Sequence, residues 1–317
     1  MKFKDSTLTI IVPIYNEELV INRFLGQLYP VVNELGKKQD CRVLFVNNGS
    51  TDKSFELIKS YKDPIKNFGI LTLARNFGYE TALIAGLTHS DSDFYALCDG
   101  DGEDPVNLLL DFQTSILDEF NIAIGIRKNR VESIATKSFR SFGYSLLSKL
   151  GDDPFRKNAG NFSMFSKNVR NAILSENNSY PFLRSTLSRT GFKLKEFPHN
   201  RNPRIDGKSK YRKISLIKFA IAGFMTTTTW PLRFISYIGA FNSVALAIFL
   251  VVRGLGHGEF LVWDLVLALL VELIVFLGIN SLYLARIYKN SLGRPLFYVD
   301  WRNSISQGNF KFVGKIE

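Results

Sequence analysis

Residues 94–105 have the sequence Phe-Tyr-Ala-Leu-Cys-Asp-Gly-Asp-Gly-Glu-Asp-Pro, in which a short apolar run leads directly into an acidic loop. The apolar part has the pattern of a buried strand, and four carboxylates follow within six residues. If the loop stays extended, Asp99, Asp101 and Glu103 lie on one side of it, and the glycines let the backbone approach a ligand. Such carboxylates repel one another unless a cation lies among them, and oxygen ligands suit Mg²⁺ or Mn²⁺. The alternative is a solvated turn that caps the following helix.

The same order of strand, loop and helix is repeated along the first half of the chain. Apolar runs predict five strands, at Leu8–Pro13, Val43–Val46, Ile70–Leu73, Phe94–Cys98 and Ile122–Ile126. Between them, helices are predicted from apolar residues that recur with a period of about 3.6 and from capping residues. Alternation of this kind predicts an α/β fold with a largely parallel sheet that is covered on both faces.

Polar clusters follow four of these strands, at the point where each strand ends. They are Tyr15-Asn16-Glu17, Asn47-Asn48, Arg75 and the acidic loop. In open α/β sheets, ligands bind outside the carboxyl ends of the strands. Amide and carboxylate oxygens suit a base and a ribose, a guanidinium suits a phosphate, and the acidic loop suits a metal. The four clusters together predict a pocket for a nucleoside diphosphate.

The middle of the chain continues the α/β pattern. An amphipathic helix is predicted from about Ser133 to Leu150, and a small-residue turn at Asn158–Gly160 leads into a strand. Pro181–Arg189 has a helical pattern, and Phe192–Phe197 has the pattern of an edge strand.

Composition limits the compartment and the partners. The chain has 317 residues, 46% of them hydrophobic, two cysteines and a net charge of +11. Both cysteines lie in predicted buried strands, which favours free thiols in a reducing compartment. No apolar leader follows Met1, so we expect no signal peptide and a cytoplasmic first domain. Positive charge is concentrated between Arg201 and Lys218, just before apolar segments, which indicates contact with anionic lipid and no nucleic-acid partner.

Two long apolar segments predict a membrane hairpin near the C-terminus. Ile235–Val252 contains no charged residue and Leu265–Ala285 contains only Glu272. At 1.5 Å per residue they reach roughly 27 and 32 Å, enough to cross a bilayer core. Positive residues flank the outer ends, so both ends are expected in the cytoplasm. We interpret Glu272 as a helix-contact residue, and the alternative is a polar pathway.

The apolar segment before the hairpin is interrupted by Lys218 and ends at Trp230-Pro231, which predicts a helix in the membrane interface, with a third span as the alternative. The predicted organisation is a cytoplasmic catalytic domain at 1–212, an interfacial amphipathic helix at 213–233, a two-helix transmembrane hairpin at 234–288 and a cytoplasmic tail at 289–317.

Several motifs, in this order, resemble family 2 glycosyltransferases that load a sugar onto a polyisoprenyl phosphate, such as dolichyl-phosphate mannose synthase and bacterial undecaprenyl-phosphate glucosyltransferases. They are Val12-Pro13-Ile14-Tyr15-Asn16-Glu17-Glu18, Asn48-Gly49-Ser50-Thr51-Asp52, Ala74-Arg75-Asn76-Phe77-Gly78, Asp99-x-Asp101 and Gly207-x-Ser209-Lys210-Tyr211. The tail motif Tyr283-Leu284-Ala285-Arg286-Ile287-Tyr288 extends the resemblance over nearly the whole chain. The resemblance implies a GT-A fold, a nucleotide-sugar donor and a divalent cation, Mg²⁺ or Mn²⁺.

The resemblance also implies roles for individual residues. Nucleotide binding falls to Pro13, Tyr15, Glu17, Asn47, Asn48, Arg75 and Asp99. Metal binding falls to Asp99, Asp101 and Glu103, and catalysis to Asp101 and Asn161. Binding of the acceptor phosphate or of the donor diphosphate is implied for four basic residues: Arg127, Arg130, Arg204 and Lys210. The alternative for these residues is binding of lipid headgroups.

Three places depart from the family pattern. Asn47-Asn48 and Asn161 stand where similar proteins commonly have aspartates, and Glu103 stands where they have glutamine. An amide keeps an acceptor oxygen but loses the charge, so a general base is missing at Asn161. A phosphate monoester has a second pKa of about 6, so an acceptor of this kind is largely ionised at neutral pH and needs positioning more than a base.

The resulting hypothesis is a membrane-anchored, inverting transferase of the bacterial inner membrane. It would move one sugar from a UDP- or GDP-linked donor to undecaprenyl phosphate, for modification of a surface glycan or lipopolysaccharide. Expected partners are membrane lipids, a flippase, a downstream transferase and a second copy of the chain. One alternative is a processive polysaccharide synthase, although its Q-x-x-R-W motif is absent. The other is a non-catalytic scaffold that binds nucleotide or lipid, which the three asparagines favour.

Overall fold

A mixed β-sheet organises the larger of two units into which the chain divides. The computed structural model describes residues 5–60, 66–117, 119–128, 156, 158–176, 178–203, 228–254 and 261–314. The strands of the sheet are β1 (Thr7–Ile14), β2 (Asp40–Asn47), β3 (Phe68–Thr72), β4 (Phe94–Leu97), β5 (Ile122–Arg127), β6 (Ala159–Ser166), β7 (Leu194–His199) and β8 (Ile305–Gln307). The helices of this unit are α1 (Ile21–Gly36), α2 (Ser54–Ser60), α3 (Tyr79–Thr88), α4 (Leu108–Leu117), α5 (Lys167–Ser175) and α6 (Leu183–Arg189).

The strand order across the described residues is β7-β5-β6-β4-β1-β2-β3-β8. β1 pairs in parallel with β2 and β4, β2 with β3, and β5 with β7. The predicted alternation of strands and helices is confirmed, and so is the edge position of the strand before Pro198. The prediction of a largely parallel sheet holds for these pairs, but β6 runs antiparallel between β4 and β5, and β8 runs antiparallel to β3.

Both faces of the sheet are buried, as predicted. Successive residues of a strand point to opposite faces, and Ile10 packs with Phe24 and Phe112 of α1 and α4. The next residue, Ile11, packs on the other face with Leu83 of α3. The central strands therefore have continuous apolar sequences because they have no solvent-exposed face.

The acidic loop lies beside the end of β1, where the chain order of the strands reverses. From β1 the chain goes to β2 and β3 on one side and comes back to β4 on the other. Ile11 pairs with Leu97, so Asp99 follows close to Pro13. A Cβ atom at Gly100 would lie 3.3 Å from the Pro13 carbonyl oxygen and would overlap the side chain of Ile14. The loop therefore packs closely against β1 at this topological switch point, where such sheets bind ligands, and a side chain at position 100 would force Ile14 to shift.

The C-terminal residues return to the sheet. β8 pairs with β3, and Phe310, which is 3% exposed, packs against the position of Gly69. The sequence predicted a cytoplasmic tail at 289–317. From Pro295 onward this segment belongs to the larger unit, to which it contributes an edge strand and the buried ring of Phe310. A strand of three residues is too short to give a recognisable period, which is why the sequence did not indicate it.

The second unit contains two long helices, α7 (Trp230–Gly254) and α8 (Leu261–Ser291). α7 begins at Trp230, inside the segment predicted to lie in the membrane interface, and the Trp230 amide donates to Thr228 Oγ1 at 3.0 Å. The rest of that segment, like the helix predicted near 133–150, lies outside the described residues. Asn242 Nδ2 donates to Glu272 Oε2 at 2.5 Å, which confirms Glu272 as a contact between the two helices.

By length and apolar composition, one helical segment among the described residues, Leu269–Ser291, could cross a membrane. The span predicted at Ile235–Val252 falls within α7 and stays a prediction.

Candidate active site

Asp99 is the first carboxylate after β4, and its side chain is 18% exposed. The Tyr79 hydroxyl donates a hydrogen bond to Asp99 Oδ1, and Arg127 Nη2 lies 3.7 Å from Asp99 Oδ2. Burial and the charges of Asp101 and Asp104 raise the pKa of Asp99 to about 7, although the bond from Tyr79 and the charge of Arg127 oppose this. Among the described residues, two arginines, Arg127 and Arg201, form ion pairs with the four-carboxylate loop, so negative charge is in excess there.

Asp104 is the electrostatic anchor of the acidic loop. Its side chain has 0% exposure and accepts bonds from Arg127 Nη2 at 2.9 Å, His199 Nε2 at 3.1 Å and Arg201 Nε at 3.3 Å. Burial acts to raise its pKa, but the bonds from His199 and Arg127 and the charges of Arg127 and Arg201 hold the pKa of Asp104 well below its usual range. Asp104 is thus a stable anion, and the loop is fixed to β5 and to the residues after β7.

The other two carboxylates of the loop have different surroundings. Asp101 is partly exposed, and its Oδ1 accepts the amide of Glu103 at 3.0 Å. Glu103 is 7% exposed and forms an ion pair with Arg201. Asn202 donates its amide to the Glu103 carbonyl at 2.8 Å and its side chain to the Gly102 carbonyl at 3.2 Å. The segment after β7 therefore fixes the shape of the loop.

This donor set fits a divalent cation held by two of the predicted ligands. Among the described residues, no three His, Cys, Asp or Glu side chains are grouped in a way that could hold a metal ion. Glu103 forms a close ion pair with Arg201, whereas Asp99 lies 3.7 Å from Arg127 and 4.0 Å from Arg201, and Asp101 is partly exposed. Mg²⁺ and similar ions are commonly bound by one or two carboxylates, with waters and substrate phosphates as the remaining ligands.

The loops after β1 and β2 lie together on the same rim. Asn16 has φ 54°, and its Oδ1 accepts the amide of Thr51 at 2.8 Å, while the Glu17 amide donates to Ser54 Oγ at 2.7 Å. Tyr15, which lies next to these bonds in sequence, is 38% exposed. The predicted nucleotide residues of β1, including Pro13 at its carboxyl end, are therefore held at the β2 edge of the switch point.

The paired asparagines at the carboxyl end of β2, Asn47 and Asn48, are buried and form hydrogen bonds that connect neighbouring loops. Asn47 Oδ1 accepts the amide of Ser50 at 3.0 Å. Asn48 Oδ1 accepts the amide of Phe77 at 2.9 Å, and its Nδ2 donates to Asn76 Oδ1 at 3.2 Å and to the Gly78 carbonyl at 3.1 Å. Asn48 uses both ends of its amide, so it orders the loop after β3 directly.

Arg75 lies in the loop that Asn48 orders. Its guanidinium stacks over the Phe77 ring at 4.1 Å and is exposed to solvent. This location on the rim is compatible with the phosphate contact that the sequence predicts.

Asn161 lies near the start of β6 and is 3% exposed. Its Nδ2 donates to Glu80 Oε1 at 3.0 Å. Its Oδ1 is buried and has no hydrogen-bond partner among the described residues. The structure thus brings the predicted catalytic Asn161 and the acidic loop to the same end of the sheet, because β6 pairs with β4.

Sequence reasoning missed four residues of the site: Tyr79, Glu80, His199 and Arg201. A usable signal existed for each, because Tyr79 and Glu80 directly follow the Arg75–Gly78 motif, His199 is the last residue of the edge strand β7 and Arg201 lies two residues beyond it. β7 runs parallel to β5, so its carboxyl end lies on the ligand-binding rim. Three predicted phosphate ligands, Arg130, Arg204 and Lys210, lie outside the described residues.

The sequence comparison identifies the class of protein that this fold and site define. The model of the Glycosyl transferase family 2 matches residues 9–174, and the chain belongs to this family. It is a glycosyltransferase with the GT-A type of fold.

Similar proteins extend the likeness beyond that region. The uncharacterized glycosyltransferase YkcC of Bacillus subtilis (strain 168) is 29% identical over 300 residues, which cover 92% of each chain. A bactoprenol glucosyl transferase of Shigella phage SfV is 28% identical over 315 residues, which cover 92% of this chain and 97% of the relative. Among solved structures, glucosyl-3-phosphoglycerate synthase from Mycobacterium tuberculosis, in complex with Mn²⁺, UDP-glucose and phosphoglyceric acid, has a TM-score of 0.46 and 16% identity, with 68% of this chain and 76% of that one covered.

Proposed function

We propose that this glycosyltransferase moves a single sugar from a UDP- or GDP-linked donor to undecaprenyl phosphate at the cytoplasmic face of the bacterial inner membrane. The observation that carries the proposal is the Asp99–Asp101 pair of carboxylates at the β1–β4 switch point, where burial and the charges of Asp101 and Asp104 raise the pKa of Asp99 to about 7. A site of this kind suits a divalent cation and the diphosphate of a nucleotide sugar.

The donor would lie across the rim of the sheet. Tyr15 and the loops held by Asn47 and Asn48 would contact the nucleoside, and Arg75 would contact a phosphate. Asp99 and Asp101 would hold Mg²⁺ or Mn²⁺, which when bound neutralises charge on the leaving diphosphate.

The chain's own cations keep the acidic loop in its binding shape. Arg127 and Arg201 each contact two or more loop carboxylates, so the loop remains ordered despite its density of negative charge. Their charge also lies beside the expected position of the diphosphate, where preorganised positive charge lowers the barrier to its departure.

The reaction would be one displacement. An oxygen of the acceptor phosphate attacks the anomeric carbon, the bond from that carbon to the diphosphate oxygen breaks, and the nucleoside diphosphate leaves with the electron pair. Much of the acceptor phosphate is a dianion near neutral pH, and this dianion attacks without having to lose a proton. An amide at position 161 is therefore compatible with activity, and the resulting glycolipid has inverted configuration at the anomeric carbon.

The proposed lipid acceptor is supported by the C-terminal helices. Large apolar side chains on both α7 and α8 are exposed, among them Phe241 at 72%, Val251 at 68% and Ile274 at 68%. Burying these faces in lipid would remove them from water, and we propose that both helices span the membrane as a hairpin. The relative that is named bactoprenol glucosyl transferase aligns over nearly its whole length, including this region.

The test uses the full chain, purified in detergent, with undecaprenyl phosphate, MgCl₂ or MnCl₂ and a panel of UDP- and GDP-linked sugars. We expect one glycolipid product, and much less of it from Asp101→Asn. A matched control is Glu119→Gln, which removes an exposed carboxylate outside the site. Absence of product with every donor, together with unaltered nucleotide binding by Asp101→Asn, would refute the proposal.

A further inference from the structure

Glu80 is a buried carboxylate beside the site that no step above uses. It lies in the first turn of α3, directly after Tyr79, and is 9% exposed. Its Oε2 accepts the backbone amide of Leu183 at 3.2 Å, and its Oε1 accepts Asn161 Nδ2 at 3.0 Å. Both oxygens therefore have defined donors, one from α6 and one from β6.

These two bonds fix which way the Asn161 amide faces. An ionised carboxylate only accepts hydrogen bonds, so the NH₂ group of Asn161 must point to Glu80. The carbonyl oxygen must then lie on the other branch of the amide. Burial raises the pKa of Glu80, whereas the charge of Arg184 and the two hydrogen bonds favour the ionised form that this arrangement needs.

The Asn161 oxygen is left without a donor. It is fully buried and has no partner in the described part of the chain, although most buried acceptors in folded proteins have one. Asn161 also neighbours the Tyr79 hydroxyl, which contacts Asp99 on the other side. The side chain that carries the unpartnered acceptor is thus linked through Tyr79 to Asp99, the carboxylate proposed to hold the cation.

We propose that Glu80 is a positioning residue that orients Asn161 so that the Asn161 oxygen accepts a hydrogen bond from a hydroxyl of the donor sugar. This rests on the proposed function and adds the residue pair that recognises the sugar. The sugar is attached to the diphosphate and carries several hydroxyl donors, so a hydroxyl is the group that such a neutral acceptor would bind.

Glu80→Gln tests the orientation with almost no change in size. When the glutamine oxygen accepts from the Leu183 amide, its NH₂ group faces Asn161. Asn161 must then turn its own oxygen toward residue 80 and present NH₂ to the site. The variant is expected to weaken sugar recognition roughly 10- to 100-fold, the range expected from misdirecting one buried hydrogen bond.

The measurement compares affinities for a nucleotide sugar and for its nucleoside diphosphate by calorimetry on the full chain. The probes are UDP-glucose and UDP, or GDP-mannose and GDP if the transfer assay selects a GDP donor. We expect Glu80→Gln and Asn161→Ala to lose affinity for the nucleotide sugar while affinity for the diphosphate stays unchanged. In transfer assays the donor KM should rise in both variants, and the double variant should lose no more than the larger single loss.

Glu176→Gln is the matched control, because Glu176 also accepts bonds from two side chains, Thr186 and Arg189, but lies outside the site. Equal affinity of wild type and Glu80→Gln for the nucleotide sugar would overturn the inference. Wild-type affinity of Asn161→Ala for the nucleotide sugar would also overturn it. If Glu80→Gln lost affinity for the diphosphate and thermal stability as well as sugar affinity, Glu80 would be a structural residue only, and the inference would likewise be wrong. Absence of transfer by the wild type would count against the proposed function, whereas normal transfer with unchanged sugar affinity in both variants counts against this inference alone.

Discussion

The Arg127 guanidinium lies 2.9 Å from the carboxylate of Asp104, a side chain with 0% exposure. The same carboxylate accepts hydrogen bonds from His199 and Arg201, so the neighbouring strands β5 and β7 are both fixed to the loop that carries Asp99 and Asp101. A buried carboxylate of this kind stabilises the loop only while all its partners are present, since removal of one partner leaves buried charge uncompensated.

Asp104→Asn should therefore destabilise the larger unit. Breaking a buried ion pair from one side costs about 3–5 kcal/mol, and the loss should appear in urea unfolding monitored by tryptophan fluorescence or circular dichroism. Asp111→Asn, an exposed aspartate on α4, is the control and should unfold like the wild type. An Asp104→Asn variant as stable as the wild type would show that the network contributes nothing.

The pH dependence of that contribution has a definite sign. The pKa of Asp104 is lower in the folded chain than its unfolded value of about 3.9. Its stabilisation is thus fully present above that unfolded value and is lost as the pH falls toward the folded pKa. The difference in unfolding free energy between wild type and Asp104→Asn should accordingly shrink in acid. A difference that stayed constant from neutral pH to pH values of about 2 would contradict this assignment.

Asp99 should show the opposite behaviour in protein without added metal. Its pKa is raised to about 7 by burial and by Asp101 and Asp104. Between the unfolded value of about 3.9 and this folded value the native chain binds the extra proton, so the contribution of Asp99 to stability falls as the pH rises through that window. Carboxyl-carbon NMR of labelled aspartates should find one group that titrates near neutral pH. Asp101→Asn should lower the pKa of that group, and a titration unchanged by Asp101→Asn would argue against the coupling.

Asp101→Asn should abolish most activity without unfolding the chain. Asp101 is partly exposed, and the backbone amide of Glu103 can still bond to the amide oxygen that replaces the carboxylate. Loss of a cation ligand removes several kcal/mol of charge stabilisation, so glycolipid formation should fall roughly a hundredfold or more. Mn²⁺ affinity should fall in calorimetry while the unfolding midpoint stays close to that of the wild type. Retention of both activity and Mn²⁺ affinity would remove Asp101 from the site.

The sequence predicted the positions of the strands correctly where the local pattern of apolar residues determines the structure. Apolar runs such as Leu8–Pro13 and Phe94–Cys98 became strands within one or two residues, because a strand buried on both faces has a continuous apolar sequence. The acidic loop lies on the predicted rim because it follows the carboxyl end of a parallel strand, and the direction of the strands alone determines which edge of the sheet binds ligands.

The contacts that define the site depended on pairing between distant strands. Arg201 was assigned to a basic patch near the membrane, but the parallel pairing of β7 with β5 brings it to Glu103 and Asp104. Likewise, the antiparallel insertion of β6 beside β4 brings Asn161 to Glu80. Neither pairing leaves a periodic signal in the sequence, because register depends on which strands meet and not on the composition of either one.

Phe310→Ala tests whether the returning C-terminal segment stabilises the sheet that carries the site. Phe310 is 3% exposed and packs with Leu44 and Leu71 in the core on the α3 face. Truncation of a buried phenylalanine costs about 3–5 kcal/mol, so the variant should unfold at lower urea concentration and its β3 amides should exchange hydrogen faster. Val313→Ala, whose valine is 43% exposed, should change little. If Phe310→Ala left both the stability and the hydrogen exchange of β3 unchanged, the C-terminal segment that contains β8 would make no contribution to the stability of the sheet.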